Sequence, residues 1–218
     1  MTIKPETKSV CSSLLHHAHR DDRNLTNSIR LEGSAAPRIF ALVVAIDKYK
    51  SENLYNLTGC KKDGERFIQF LTGILGVPSS QIVFLADEGA TERGISEQFE
   101  TFFIKNENIQ RDDAIIFFFA GHGSRPDAPE GWLAEGNKIE TLCSHDVQTT
   151  GDDGKEIWGI SDRAIDALMR KLAFEKGDNI VCLSLLFPTR ALHRGCTHLG
   201  CHLRLLSFRW SLASGRDD

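Results

Sequence analysis

The sequence of this 218-residue chain predicts an α/β domain with an open, mostly parallel sheet and helices on both faces. Residues 39–46 and 114–120 are continuously apolar and rich in β-branched or aromatic side chains, which is typical of strands covered on both faces. Segments whose apolar residues recur at helical spacing lie between the strands. This alternation indicates parallel strands joined by helical crossovers.

The first two strand–helix units follow each other closely. After the strand at residues 39–46, helical spacing of apolar residues predicts a helix at residues 60–71, which the Gly-Val-Pro sequence at 76–78 ends. Residues 81–85 predict a short second strand. Thr91 is a suitable N-cap for the next helix. The apolar face of that helix consists of Ile95, Phe99, Phe102 and Phe103.

The most hydrophobic segment, residues 114–120, predicts a central strand because its three consecutive phenylalanines need burial on both faces. It ends at the Gly-His-Gly-Ser sequence of residues 121–124. A long polar segment follows at residues 125–159, after which Ser161 predicts the N-cap of a third helix. Residues 180–186 predict the last strand.

Composition divides the chain into three parts. Residues 1–38 are rich in Ser, Thr, His and charged side chains without a sustained period, which predicts a disordered leader. Residues 39–187 contain the predicted strands and helices. Residues 188–218 contain no Lys, Glu, Ile or Val and show no period. We therefore expect a tail unrelated to the domain before it, either disordered or translated out of frame.

Charge and hydropathy narrow the range of partners. The chain has 26 basic and 30 acidic residues and no basic stripe interleaved with aromatic residues, so nucleic acid is not an expected partner. The longest apolar run is too short to cross a bilayer, and the N-terminus lacks an apolar signal region, so we expect no membrane association and a cytosolic or nuclear location. The six cysteines lack paired spacing, which predicts free thiols.

His122 is the strongest candidate for chemistry. It follows the most buried strand, at the edge where open α/β sheets place their sites, and glycines on both sides allow a substrate to approach closely. An imidazole at this position can transfer protons near neutral pH. From the Gly-His-Gly sequence alone, a histidine that only fills a turn is an equally good interpretation.

Four segments of the chain, one of which contains His122, together indicate a known family. They are residues 40–49 (FALVVAIDKY), 57–63 (LTGCKKD), 118–124 (FFAGHGS) and 177–180 (GDNI). In this order, from about residue 39 to residue 181, they resemble the caspase-like cysteine peptidases of the peptidase C14 type, and the metacaspase branch most closely. The resemblance implies a three-layer α/β/α sandwich with a mostly parallel sheet, of which the C-terminal part is missing here.

The resemblance also implies catalytic roles and a peptide or protein substrate. His122 matches the family's general base, and Gly123 matches an amide that stabilises the oxyanion. In that mechanism a thiolate activated by the imidazole attacks the peptide carbonyl, and the histidine then protonates the leaving amine. No cofactor is required for this chemistry. The oligomeric state is not determined by the sequence.

Substrate specificity is a further implication of the resemblance. Cys60 and Asp63 match metacaspase residues that line a pocket for a basic side chain, and a buried carboxylate favours Arg or Lys. Without the resemblance, the better interpretation is that Asp63 caps or decorates the helix that begins near Cys60.

Calcium is the one metal that the resemblance brings in. Asp146 and Asp162 fall near metacaspase positions that bind calcium, an ion that needs several carboxylate oxygens. Arg163 follows Asp162 where a second acid is expected, and this positive charge counts against calcium binding. Residues 152–153, both Asp, are an alternative, as is a simple solvated loop.

The nucleophile of the family is absent from its expected position. The last strand of the family leads into a motif such as Asp-Cys-Cys-His-Ser-Gly, whereas residues 181–189 read VCLSLLFPT. Cys182 comes several residues too early, and at about 3.3 Å per strand residue its thiol lies more than ~10 Å from the sheet edge. We therefore expect Cys182 to be a buried strand cysteine.

A change of reading frame is our hypothesis for this loss. Codons for His-Ser-Gly-Ser, read one nucleotide later, encode Thr-Arg-Ala-Leu, which is the sequence of residues 189–192. A retained intron, a misplaced exon boundary or a sequencing slip would produce such a change. Reading the transcript across the codons for residues 180–193 tests the hypothesis.

Two functional interpretations stay open. The first is a cysteine-type endopeptidase domain by ancestry, directed at Arg or Lys and inactive without its nucleophile. The second is a non-catalytic protein of the same fold that binds peptides or partner chains. A nucleotide-binding domain is disfavoured because no Gly-rich phosphate loop follows the first strand. Zinc is disfavoured because its candidate ligands lie within one short stretch. These are His193, Cys196, His198, Cys201 and His202.

Overall fold

The computed structural model describes residues 36–188 and 202–206 of the chain. The predicted leader and most of the predicted tail lie outside these residues. In chain order, the strands and α-helices of this part of the chain are β1 (Ile39–Ala45), α1 (Cys60–Gln69), β2 (Ile82–Ala86), α2 (Glu92–Gln98), β3 (Ala114–Ser124), β4 (Thr141–Leu142), β5 (Ile160–Ser161), α3 (Asp162–Lys176), β6 (Ile180–Pro188) and β7 (His202–Leu206).

The strands form one mixed, mostly parallel sheet. β1 pairs in parallel with β2 on one side and with β3 on the other, and β3 pairs in parallel with β6. β7 pairs antiparallel with β6. Where β1 has ended, the short strand β4 pairs antiparallel with the end of β3, and β5 pairs with β4. The predicted fold class, α/β with a mostly parallel sheet, is confirmed.

Helices cover both faces of this sheet, so the structure has three layers. On one face, Cys60 and Phe67 of α1 pack with Val43 and Phe118. On the other face, α2 and α3 pack against alternate residues of the same strands, among them Phe117. β1 is buried along nearly its whole length. This two-sided cover explains why the strands read as continuous apolar runs.

The structure extends several predicted elements and adds others. β6 continues to Pro188, two residues beyond the predicted end, and it is not the last strand because β7 follows. β7 lies in a segment without a period, so no pattern predicted it. α1 and α2 each continue into a π-helical turn, at Phe70–Ile74 and Phe99–Ile104. The polar segment after β3 contains β4, and β5 follows this segment directly.

Side-chain caps fix the starts of the helices. The hydroxyl of Thr91 accepts from the backbone N–H of Gly94, and that of Ser161 accepts from Ala164, as predicted. α1 is capped from a distance, because the carboxylate of Asp47 accepts the Cys60 N–H at 2.8 Å. Carboxylates are stabilising at this end of a helix, so Asp47 attaches the loop after β1 to α1.

Gly64 of α1 should resist substitution because the helix lies very close to the sheet. A Cβ at this position would stand 2.9 Å from the Cβ of Ala45 and 3.0 Å from the Phe84 ring. We expect Gly64→Ala to lower the free energy of unfolding by about 1–3 kcal/mol in urea titrations, despite the better helix propensity of Ala.

Gly73 provides the matched control. It is exposed in the π-helical turn after α1, and a Cβ there meets nothing within 4 Å. Gly73→Ala should therefore raise the free energy of unfolding by roughly 0.4–1 kcal/mol. Equal effects of the two substitutions would contradict the close approach of α1 to β1.

Candidate active site

His122 lies at the predicted edge of the sheet but inside the protein. It is the third residue from the end of β3, two positions beyond Ala120, which aligns with Ala45 at the end of β1. Its exposed fraction is 0%. The sequence therefore located the residue correctly, whereas the expected display of its side chain to substrate is not what the structure shows.

Both ring nitrogens of His122 face backbone carbonyl groups. Nδ1 lies 3.0 Å from the carbonyl oxygen of Phe187, and Nε2 lies 2.9 Å from that of Tyr55. A ring with one N–H donates to one of these oxygens, and only a ring protonated on both nitrogens donates to both. In either form, both nitrogens point at main-chain oxygens and neither points at a thiol.

Two tyrosines enclose the ring. The Tyr49 ring is tilted against it at 4.9 Å between centroids, and the Tyr55 ring meets it edge-on at 4.5 Å. The backbone N–H of His122 donates to the Tyr49 hydroxyl at 2.7 Å. Burial raises the pKa of Tyr49 far above its ordinary value, so its hydroxyl stays protonated. Tyr55 is 46% exposed and separates His122 from solvent.

The amide of Gly123 is engaged by the same carbonyl as the His122 ring. Gly123 pairs with Pro188 in the parallel ladder between β3 and β6. Because proline has no N–H, this pairing requires the Gly123 N–H to donate to the carbonyl of Phe187. In a parallel ladder every second residue of a strand donates to the same neighbour. The Ile115 N–H, eight residues before Gly123, donates to the carbonyl of Asn179, which agrees with this alternation. The implied base and the implied oxyanion donor thus converge on Phe187.

Cys182 is buried and lies far along β6 from the sheet edge that holds His122. Cys182 aligns with Phe117, and Phe187 lies five residues further along β6, about 16 Å at 3.3 Å per residue. Burial raises the pKa of Cys182 to about 11. The interpretation of Cys182 as a buried strand cysteine agrees with this position.

Cys143 directly follows β4, and its backbone contacts that of His122. Its N–H donates to the His122 carbonyl at 2.9 Å. Burial raises the pKa of its thiol to about 11, although a hydrogen bond with Ser124 acts in the opposite direction. A thiol with so high a pKa is a poor nucleophile at neutral pH. Cys11, Cys196 and Cys201 lie outside the described residues.

The residues of the implied specificity pocket both lie in the first turn of α1. Cys60 and Asp63 are buried. The Asp63 carboxylate has Arg66 of the same helix 3.8 Å away. The capping carboxylate of α1 is that of Asp47, which local sequence patterns could not reveal because it lies 13 residues upstream.

The two residues matched to calcium positions have different surroundings. The Asp146 carboxylate accepts the N–H of Glu92 at 2.9 Å and so helps to cap α2. Asp162 is exposed, and its carboxylate accepts the N–H of Arg163. Among residues 36–188 and 202–206, no three His, Cys, Asp or Glu side chains are grouped for a metal ion. Calcium binding, against which Arg163 counts, stays untested.

Two further predictions concern zinc and membranes. Of the candidate zinc ligands, only the backbone of His202 falls within the described residues. No helix in the described ranges has both the length and the apolar character needed to cross a bilayer.

Comparisons with known proteins agree with this architecture. The caspase-domain model of the peptidase C14 family matches residues 38–187. Metacaspase-3 of Arabidopsis thaliana is 29% identical over 109 residues, which are 47% of this chain and 29% of that protein. The crystal structure of protein GSU0716 from Geobacter sulfurreducens shares the fold, with a TM-score of 0.51 and 15% identity over 70% of this chain and 50% of that one. The chain therefore spans at most about half of these relatives.

The family match covers more than half of the chain and includes every residue of the candidate site. Together with the parallel sheet and the position of His122, it identifies the chain as a member of the caspase-domain family of peptidases, related to the metacaspases.

Proposed function

We propose that this chain is a caspase-domain protein that does not cleave peptide bonds in its present form. The observation that carries the proposal is the convergence of the His122 ring and the Gly123 amide on the carbonyl of Phe187. In the family's chemistry, the imidazole activates a thiol and the amide stabilises the oxyanion. Here one main-chain oxygen of the same chain engages both groups.

A substrate would have to displace two sets of contacts before reaching His122. The ring is fully buried and packed between Tyr49 and Tyr55. The carbonyl of Phe187 belongs to β6, whose pairing with β3 would have to open. Opening a central parallel ladder breaks several backbone hydrogen bonds at once, which opposes substrate entry.

An Arg- or Lys-directed pocket at Cys60 and Asp63 stays part of the proposal for the ancestral enzyme. A buried carboxylate attracts a basic side chain, but Arg66 already supplies a guanidinium at 3.8 Å from Asp63. Arg66 therefore reduces the negative potential that a basic substrate residue would meet, and selectivity for Arg or Lys should be weak.

The second candidate function is a peptide- or partner-binding module of the same fold. It follows from the first proposal, because a caspase domain that retains its sheet but not its catalytic chemistry can still bind protein segments. The location in the cytosol or nucleus stays a prediction.

Peptide cleavage assays test the first proposal. With fluorogenic peptides that end in Arg or Lys, the wild-type chain and His122→Ala should give the same background rate, a ratio of about 1, because the imidazole activates no thiol. Binding of these peptides without turnover would favour the second candidate function.

Cys196→Ala and Cys201→Ala are the informative companions, since both cysteines lie outside the described residues. Circular dichroism should show that every variant is folded. Turnover that is lost both in His122→Ala and in one of these cysteine variants would refute the proposal.

The reactivity of the buried thiols provides a second test. With a pKa of about 11, Cys143 and Cys182 are ionised in roughly one molecule in 3,000 at pH 7.5. We expect iodoacetamide to leave both unlabelled in the folded chain and to label both in denaturant, as measured by peptide mass mapping. Labelling as fast as that of free cysteine would contradict their burial.

The same two thiols should make stability depend on pH. Their pKa is about 11 in the folded chain and near 9 ordinarily, so the folded state holds these protons more tightly. The contribution is complete below pH 9 and is lost as the pH rises towards 11. The free energy of unfolding should therefore fall across this interval, and replacing both cysteines by alanine should flatten the decline.

A further inference from the structure

A groove of about 770 Å³ lies apart from the His122 site, between α2, α3 and the segment before β5. Its surface is mostly apolar, and Glu92, Asp153 and Glu156 are among the residues that line it. None of the residues that the family resemblance places in catalysis or specificity lines it. The lining residues that matter here are Glu92, Glu156, Trp158, Ile160, Ala164 and Leu168.

One wall of the groove is a hairpin with its own backbone ladder. Gln148 and Thr149 exchange hydrogen bonds with Ile157 at 2.8 Å, and Gly151 closes the turn on Lys155 at 2.8 Å. Trp158, which follows Ile157 at the end of this hairpin, is 61% exposed. A large aromatic side chain held exposed beside a groove, on a backbone that is already ordered, can bind a ligand at a low entropic cost.

The other wall is fixed to the same hairpin through Asp146. Its carboxylate accepts the N–H of Glu92 at the start of α2, and its carbonyl accepts the Thr149 hydroxyl at 2.6 Å. Glu92 is therefore held at a set position relative to the hairpin. The groove is built by hydrogen bonds that join its two walls.

The charges of the groove favour a basic ligand. Its two lysines are already paired: Lys155 with Asp153 at 3.4 Å, and Lys171 with Glu100 at 2.8 Å. The carboxylates of Glu92 and Glu156 form no ion pair within the described part of the chain. A ligand with positive charges would neutralise them, whereas an acidic ligand would be repelled.

The backbone along the groove adds a third element of recognition. β5 pairs with β4 on one side and is the terminal strand on that side of the described sheet. Its Ile160 and Ser161 line the groove. An extended peptide can hydrogen-bond to such a strand edge while its side chains enter neighbouring pockets.

We propose that this groove binds an extended peptide segment of another protein in which Arg or Lys alternates with large apolar residues. The apolar side chains contact Trp158, Ala164 and Leu168, and the basic side chains face Glu92 and Glu156. This binding requires neither His122 nor a nucleophile, so it holds whether or not the peptidase proposal does.

Calorimetry with two synthetic octapeptides tests the proposal. One alternates Arg with Leu, and the other alternates Glu with Leu. The full chain should bind the Arg peptide, with an affinity that falls as NaCl rises, and should not bind the Glu peptide. Trp158→Ala should weaken binding by about tenfold and Glu156→Gln by about threefold.

Matched controls make the result specific to the groove. Phe174→Ala removes an aromatic ring that is 75% exposed on α3 outside the groove, and Glu65→Gln removes an exposed carboxylate of α1. Neither control should alter the affinity by more than about twofold. Equal binding of both peptides, no binding of the Arg peptide, or equal effects of Trp158→Ala and Phe174→Ala would overturn the proposal.

Discussion

The parallel pairing of β3 with β6 sets the arrangement of the whole C-terminal edge of the sheet. Its register places His122 beside Phe187 and Gly123 beside Pro188. Side chains alternate between the two faces of a strand, so a slip of one residue would move every side chain of β6 to the opposite face. The two faces of β6 pack into different cores, Cys182 and Leu186 into one and Leu185 and Phe187 into the other, and packing of this kind favours one register. The register in turn determines what the catalytic positions of the family can contact.

This pairing also sets the hydrogen bonds that are open to a buried histidine. A buried polar group is costly unless hydrogen bonds replace its contacts with water. The backbone N–H of His122 donates to the Tyr49 hydroxyl, and a protonated ring nitrogen donates to the carbonyl of Phe187 or of Tyr55. Both ring nitrogens therefore face carbonyl oxygens of the chain itself.

Local patterns predicted most of the fold and the location of the site, but not the contacts of the site. Apolar runs identified the strands, and Thr91 and Ser161 identified two helix starts because an N-cap acts over three residues. The enclosure of His122 depends on Tyr55 and Phe187, which are 67 and 65 residues away in the chain. No periodicity records such contacts. β7 was missed because its five residues lie in a segment without a pattern.

The acceptor for the main-chain N–H of His122 is a phenol oxygen, that of Tyr49, and not a carbonyl of a neighbouring strand. A sheet ladder admits almost any amino acid other than proline, since its bonds belong to the main chain. The N–H of His122 instead donates to a side chain, so position 49 needs a hydroxyl group, whereas the positions of β1 need no particular polar group. The ladder bonds of β1 would survive the exchange of one apolar residue for another, whereas the bond to His122 needs a hydroxyl group of the same reach in the loop after β1.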